Sequence, residues 1–184
     1  MGKIWLTSDL HLNHDKDFIW GARGFSSITE MNNEIINKWN FSIDNEDDVY
    51  CLGDIMLGNE LAGARLLHQL KGNIHIIRGN HDTDNRMTIY NHSYNVVEIC
   101  EGKFLRYGNY HFYLTHYPCL TDNYTDGSNL ERKMINLCGH RHAKDPFIDW
   151  DKGIIYHCEL DAHKCYPVLI DNIIKDINNK MKEI

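Results

Sequence analysis

The chain is poor in proline, with three in all. It also lacks any apolar run near the roughly 20 residues that a membrane-crossing helix needs, and it has no surplus of positive charge. Each absence excludes something. Without the long apolar run, a transmembrane helix is not expected. With 19 Lys and Arg against 26 Asp and Glu the formal net charge is -7. The surface as a whole therefore repels a polyanion and lacks the basic track that duplex binding demands, so long nucleic acid is not expected as a partner. The six cysteines, at 51, 100, 119, 138, 158 and 165, form no C-x-x-C pair, and several sit in apolar runs where a thiol acts as a small hydrophobe. This pattern suits a reducing compartment and disfavours a Cys-rich structural zinc site. Met1-Gly2-Lys3-Ile4 runs straight into an apolar segment without the features of a secretory signal, so a cytoplasmic location is expected. Repeats and low-complexity stretches are absent.

What is present is an ordinary globular composition, 42% hydrophobic and 24% charged over 184 residues, the size of one domain spanning residues 1–184. Short apolar runs at Lys3 to Ser8, Val49 to Leu52 and Ile74 to Ile77 read as buried strands. Between the first two, Ser27-x-x-Glu30 has the form of a capping box, followed by Met31, Ile35, Ile36 and Trp39 at helical spacing. Leu61, Leu66, Leu67 and Leu70 suggest a second helix. Strand, helix, strand, helix, strand implies parallel pairing, with functional groups at the carboxyl ends of the strands. Beyond about residue 95 the pattern changes to consecutive strands: a hairpin from Lys103 to Thr115 turning at Gly108-Asn109, then Met134 to Cys138 and Ile154 to Cys158. A last helix starts at Asp171, with Ile174, Ile177 and Met181 on one face. Thr121 to Asn129 reads as a polar loop.

Twelve histidines are many for this length, and their placement carries the information. Strand ends deliver Asp9 and His11, Asp54, Asn80 and His81, His116, then His140 and His142. Residues i and i+2 of an extended chain point the same way, so Asp9 with His11, and His140 with His142, are expected to converge. Carboxylate, imidazole and amide oxygen suit Mn, Fe, Zn or Ni. Taken singly, each motif has a plain structural reading: Asp9-x-His11 as a strand-end turn, Gly53-Asp54 as a turn dipeptide. Five of them in order, each after a strand, are far harder to explain structurally.

In that order and placement, Asp9-x-His11, Gly53-Asp54, Gly79-Asn80-His81-Asp82, His116 and Gly139-His140-x-His142 resemble the calcineurin-like metallophosphoesterase superfamily. The resemblance spans residues 3 to 142. It implies an α/β fold, a four-layer α/β/β/α sandwich of mixed sheets with flanking helices, and a dinuclear centre between the sheet edges. It further implies that Asp9, His11 and His142 hold one divalent ion, that Asn80, His116 and His140 hold another, and that Asp54 bridges them. Manganese is the expected metal, with iron, zinc or nickel compatible. The implied reaction is in-line attack of a metal-bridging hydroxide on a phosphodiester or phosphomonoester, on a small nucleotide-like substrate. His81 would face that substrate, either stabilising charge or protonating the leaving oxygen.

Two departures narrow the branch. Gly53-Asp54 continues as Ile55-Met56-Leu57-Gly58, not as the Asp-Arg-Gly of protein Ser/Thr phosphatases, and Leu57 stands where purple acid phosphatases carry a tyrosine ligand. Two other readings stay open: a nuclease or nucleic-acid-end phosphatase, and a binding scaffold of this fold without activity. Oligomeric state is not set by the sequence. Among the remaining residues, His14 is read as a rim group or a solvated loop residue. Arg78 and Arg141 are read as structural more than phosphate-binding, and Asp82 as a cap. His68, His75, His111 and His157 are read as packing residues, as are Tyr107, Tyr110, Phe112 and Tyr113 of the hairpin; His92 and His163 lie in no motif.

Overall fold

The computed structural model describes residues 2–122, 125 and 127–183. Positions 123, 124 and 126, within the loop expected from Thr121 to Asn129, lie outside the described residues. Four parallel strands come first: β1 (Ile4–Thr7), β2 (Asp48–Cys51), β3 (Asn73–Ile77) and β4 (Val96–Cys100), paired in the order β4-β3-β2-β1. Their connections carry α1 (Asp17–Trp20), α2 (Ile28–Ser42), α3 (Glu60–Leu67) and α4 (Asp84–Asn91). Each strand adds on the same side of its predecessor, so right-handed crossovers place the connecting helices on one face of the sheet. There Met31, Ile35, Ile36 and Trp39 of α2 pack with Val49, Cys51, Ile74 and Ile76 in the first core.

Strand alternation sends Leu6, Tyr50, Leu52 and Ile77 to the opposite face, which no crossover helix covers. A second sheet covers it. β5 (Lys103–Tyr107), β6 (Tyr110–Leu114), β7 (Met134–Cys138) and β8 (Ile155–His157) pair in sequence order. The first pair is an antiparallel hairpin with Tyr107 opposite Tyr110 around Gly108-Asn109, and the other two are parallel. Phe112, Leu114, Ile135, Leu137 and Tyr156 meet Leu6, Tyr50, Leu52 and Ile77 in the second core. Strand β9 (Val168–Leu169) adds antiparallel to β1, and α5 (Ile170–Met181) drives Ile170, Ile173 and Ile177 into the same layer. Both sheets are thus mixed and flanked by helices, in agreement with the expected class. No helix among the described residues is long and apolar enough to cross a membrane.

Local details differ from the sequence reading for physical reasons. The Ser27 hydroxyl caps α2 by accepting from Glu30 N at 3.2 Å, but the Glu30 carboxylate reaches Ser26 N at 2.7 Å, so the reciprocal half of the box is shifted by one residue. Leu61 is 70% exposed, and α3 turns Gly63 and Leu67 inward instead. The buried stripe of α5 is Ile170, Ile173 and Ile177, with Ile174 and Met181 flanking it. Helix α4 buries only Tyr90, and β9 has two residues, too little periodicity to read in advance.

The carboxyl ends of β2 and β3 come so close that a side chain cannot fit between them. A Cβ on Gly53, whose φ is +96°, would lie 2.6 Å from Gly79 Cα, and a Cβ on Gly79 would strike the Asp54 carboxylate. Asp82 ties these two loops together. Its buried carboxylate accepts from Asp54 N at 2.8 Å, Gly79 N at 2.9 Å, Ile55 N at 3.3 Å and the Tyr90 hydroxyl at 2.9 Å. Sequence reading took Asp82 as a cap, but Thr83 caps α4, accepting from Arg86 N, and Asp82 is a cross-strand brace. Asp82→Ala leaves three buried backbone donors without a partner and is expected to cost roughly 3 kcal/mol or more, against about 1 kcal/mol for Tyr90→Phe, in urea unfolding. Equal costs for the two variants would contradict the brace.

Candidate metal centre

The loops following β1, β2, β3, β6 and β7 meet at one end of the two sheets and bring all seven expected ligands together. They do so by a different backbone from the one expected. β1 ends at Thr7, and Asp9 (φ +57°), His11 (+51°), Asp54 (+56°), His140 (+75°) and His142 (+48°) all adopt left-handed conformations. The residues converge as expected, yet through successive left-handed turns and not through alternation along an extended strand. Such angles are uncommon outside glycine and cluster at functional sites. Cross-loop hydrogen bonds hold them: Asp9 N donates to Gly53 O, His11 N to Asp54 O, and Gly139 N to His116 O, at 2.9–3.0 Å.

Two donor sets result. In the first, His11 Nε2 and His142 Nε2 each lie 3.7 Å from Asp9 Oδ1. In the second, Asn80 Oδ1 lies 2.8 Å from His116 Nε2 and 2.9 Å from His140 Nδ1, and those two nitrogens are 3.2 Å apart. Asp54 Oδ2 stands between the sets, 3.7 Å from His11 Nε2 and 3.6 Å from His116 Nε2. Donors bound about 2.0–2.2 Å from one divalent ion sit roughly 3–3.6 Å from each other, close to the spacing found.

The protonation pattern also calls for cations. The His116 Nδ1–H donates to Leu52 O at 2.7 Å, so in the neutral ring Nε2 carries a lone pair aimed at another acceptor, Asn80 Oδ1. Asp9 Oδ1 and His11 Nε2 are buried with no hydrogen-bond partner, although most buried polar groups have one. Burial is the largest influence on the His11 imidazole and brings it down to about 4, and burial likewise lowers His140, so both rings present lone pairs at neutral pH. Asp54 is pushed up, first by burial, with the Asp9 and Asp82 charges adding to it. Asp9 goes the other way. Burial would raise it, but the neighbouring His11, His142 and His116 outweigh that and bring it to about 2. Burial would lower His142, but its hydrogen bond with Asp161 and the Asp9 charge outweigh that and raise it. Imidazoles, an amide oxygen and two carboxylates facing one another are a donor set that fits two divalent cations.

Sequence reading missed the groups that orient these ligands. Asp161 Oδ2 accepts from His142 Nδ1 at 3.0 Å, so that the ring's Nε2 faces Asp9. Arg23 clamps Asp161 at 3.1 and 2.8 Å and donates to the Asp9 and Leu10 carbonyls at 2.6 and 3.1 Å. His157, read as a packing residue, is fully buried between Glu159 and Asp149, 2.9 Å from each. Burial opposes its charge, but the two carboxylates outweigh that and raise it, and Glu159 in turn accepts from Arg141 N. Arg141 pairs with Asp149, and Arg78 binds Asp82 O and Asp84. His68 meets Ser93, and His75 lies between Glu98 and Asp48. His163 donates to His157 O, and His92 meets Thr88 O. His14 is brought to the centre, its Nδ1 3.1 Å from His11 Nδ1. His81 sits at the rim with its side chain 44% exposed, its backbone N donating to Asp54 Oδ1 at 2.8 Å and its Nε2 4.0 Å from Asp54 Oδ2.

Residues 3–157 match the family model described as the calcineurin-like phosphoesterase superfamily domain. The uncharacterized protein MJ1445 of Methanocaldococcus jannaschii is 37% identical over 182 residues, covering 95% of this chain and 91% of that protein. The Gene 66 protein of Mycobacterium phage D29 is 27% identical over 202 residues, covering 97% and 98% respectively. Among solved structures, AQ665 of Aquifex aeolicus, a protein of unknown function, superimposes with a TM-score of 0.70 at 19% identity, covering 95% of this chain and 99% of that one. That superposition concerns the fold.

Because Asp161 fixes the His142 ring, Asp161→Asn is expected to weaken binding of one of two divalent ions about 10- to 100-fold while leaving the other unchanged. Titration calorimetry with Mn²⁺ reads this directly, and unchanged affinity at both sites would remove Asp161 from the centre.

Proposed function

The chain belongs to the calcineurin-like phosphoesterase superfamily and is a metal-dependent hydrolase of phosphoesters, and from that premise we propose that it works with two divalent ions, manganese first among them, on a small phosphodiester or phosphomonoester. Asp9, His11 and His142 would hold one ion and Asn80, His116 and His140 the other, with Asp54 shared. The observation that carries the reading is the position of Asp54 Oδ2, which is nearly equidistant from a histidine of each set, at 3.7 and 3.6 Å. When bound, such a pair supplies Lewis-acid polarisation of the phosphoryl group and a water acidic enough to act as nucleophile at neutral pH.

The chain's own residues do the remainder. The Asp54 backbone is held by the Asp82 brace and its Oδ1 by the His81 backbone, which leaves Oδ2 facing the two sets. The exposed His81 ring stands over that position and is placed to donate a hydrogen bond to a phosphoryl or leaving-group oxygen, a contribution of about a hundredfold or more for one well-placed group. His14 completes the rim. If His11 ligates through Nε2, its Nδ1 carries the proton and donates to His14 Nδ1, leaving a proton on the outward His14 Nε2. The acidic overall charge favours small substrates over a long polyanion.

Metal-stripped protein supplied with Mn²⁺ is expected to hydrolyse bis-p-nitrophenyl phosphate or p-nitrophenyl phosphate, with the ratio of the two rates assigning diester or monoester preference. Asp54→Asn should abolish turnover, and His81→Ala should keep both ions but slow turnover about a hundredfold. No turnover with any divalent ion would make the chain a binding scaffold, and near-normal rates in His81→Ala would remove that residue from the reaction.

A further inference from the structure

Beside the His142 edge of the centre lies a second pocket of about 310 Å³. It is bounded by the loop after β1, by α2, and by the loops after β7 and β8, and it is lined by Arg23, Lys38, Lys144, Asp161, Lys164 and Cys165 among others. Its single carboxylate is already engaged, because Asp161 is bonded to both Arg23 and His142. Three ammonium groups remain. Lys38 has Glu34 at 3.3 Å, while among the described residues neither Lys144 nor Lys164 has an ion-pair partner.

The arrangement is held in place by the backbone. Lys164 (φ +53°) and Cys165 (φ +62°) are consecutive left-handed residues, neither of them glycine. The Lys38 ammonium donates to the Lys164 carbonyl at 3.0 Å, and Cys165 N donates to Leu160 O at 2.8 Å, pinning this strained segment to α2 and to the turn that carries Asp161. With Asp161 engaged and Lys38 paired, Lys144 and Lys164 leave the pocket lining positively charged, which suits an anion. A chain with a formal charge of -7 gains nothing in solubility from such a cluster.

We propose that this pocket binds a phosphate group distinct from the one hydrolysed. Lysine ammoniums bind phosphate oxygens through charge-assisted hydrogen bonds as compact point charges. The pocket is lined by Asp161, whose carboxylate bonds the candidate metal donor His142, so the two sites are neighbours. A substrate with a second phosphate a few bonds from the scissile one can then span both, as the two ends of a nucleoside bisphosphate do. Free inorganic phosphate is the other source of the same chemistry. The substrate arm rests on the reaction proposed above, and the binding arm does not.

The test compares thymidine 5′-(p-nitrophenyl phosphate) with and without a 3′-phosphate, using the Mn²⁺-loaded protein and its Lys144→Ala/Lys164→Ala variant. Both lysines are exposed and outside the metal centre, so folding is preserved, and circular dichroism checks this. The expected result is a KM advantage for the 3′-phosphorylated substrate that falls about tenfold in the variant, the loss of two charge-assisted contacts. Its kcat, and the KM of the unphosphorylated substrate, should stay within about twofold. In parallel, the thermal midpoint of both proteins is followed against inorganic phosphate. A shift in the parent that the variant loses, without any 3′-phosphate advantage, assigns the pocket to free phosphate. Equal KM ratios together with equal thermal shifts would overturn the proposal. If neither protein hydrolyses either substrate, it is the reaction that fails, and the thermal-shift arm still decides the pocket.

Discussion

The structure is organised around one crowded cluster of metal-ligating groups. Seven candidate donors from five loops converge: Asn80 Oδ1 lies 2.8 Å from His116 Nε2, and Asp9 Oδ1 is buried without a hydrogen-bond partner. In water such groups would be solvated, and Asp9 Oδ1 and His11 Nε2 have lost that solvation. The rise in Asp54 caused by its burial expresses the same cost in protons. A divalent cation held among these donors would replace the lost solvation with attraction.

The crowding has a backbone component as well. Left-handed angles at Asp9, His11, Asp54, His140 and His142 each cost roughly 1–2 kcal/mol relative to ordinary conformations. They persist because the surroundings over-determine them. Asp82 collects three amides from two loops, Arg23 collects two carbonyls and Asp161, and the buried His157 with Asp149 and Glu159 backs the loop that carries His140 and His142. The glycines of the Gly-Asp and Gly-Asn-His-Asp motifs belong to the same logic, because the β2 and β3 loops touch backbone to backbone. Short motifs that look like ligand sets with incidental glycines are therefore complete local solutions, in which each residue is required either to donate or to let a neighbour approach.

This explains which parts could be read from the chain alone. The candidate donors that the structure brings together were legible because each motif is local, follows an apolar strand and consists of residue types suited to a divalent ion. Strand alternation gave the right convergence for the wrong reason: the two-residue spacing is real, but left-handed turns implement it. The bracing groups were not legible. Arg23 and Asp161 are 138 residues apart, and neither lies in a periodic element, so nothing in the sequence couples them until the loops after β1 and β8 are known to be neighbours. Asp82 follows a ligand motif and precedes a helix, which suggests a cap; only the adjacency of β2 and β3 reveals it as a brace. Helix α4 and strand β9 escaped notice because each takes little from its own pattern and much from the sheet edge it covers.

The charge distribution separates binding of the reacting group from binding of the rest of the substrate. The centre itself is rich in carboxylate and neutral imidazole and repels a phosphate until cations fill it. The neighbouring pocket, lined by Lys38, Lys144 and Lys164, carries the opposite sign. These opposite fields meet at a single residue, Asp161, which orients His142 on one side and, through Arg23, neutralises the floor beneath the lysines on the other. A carboxylate shared in this way ties the geometry of the pocket's floor to the orientation of the His142 ring through one pair of hydrogen bonds.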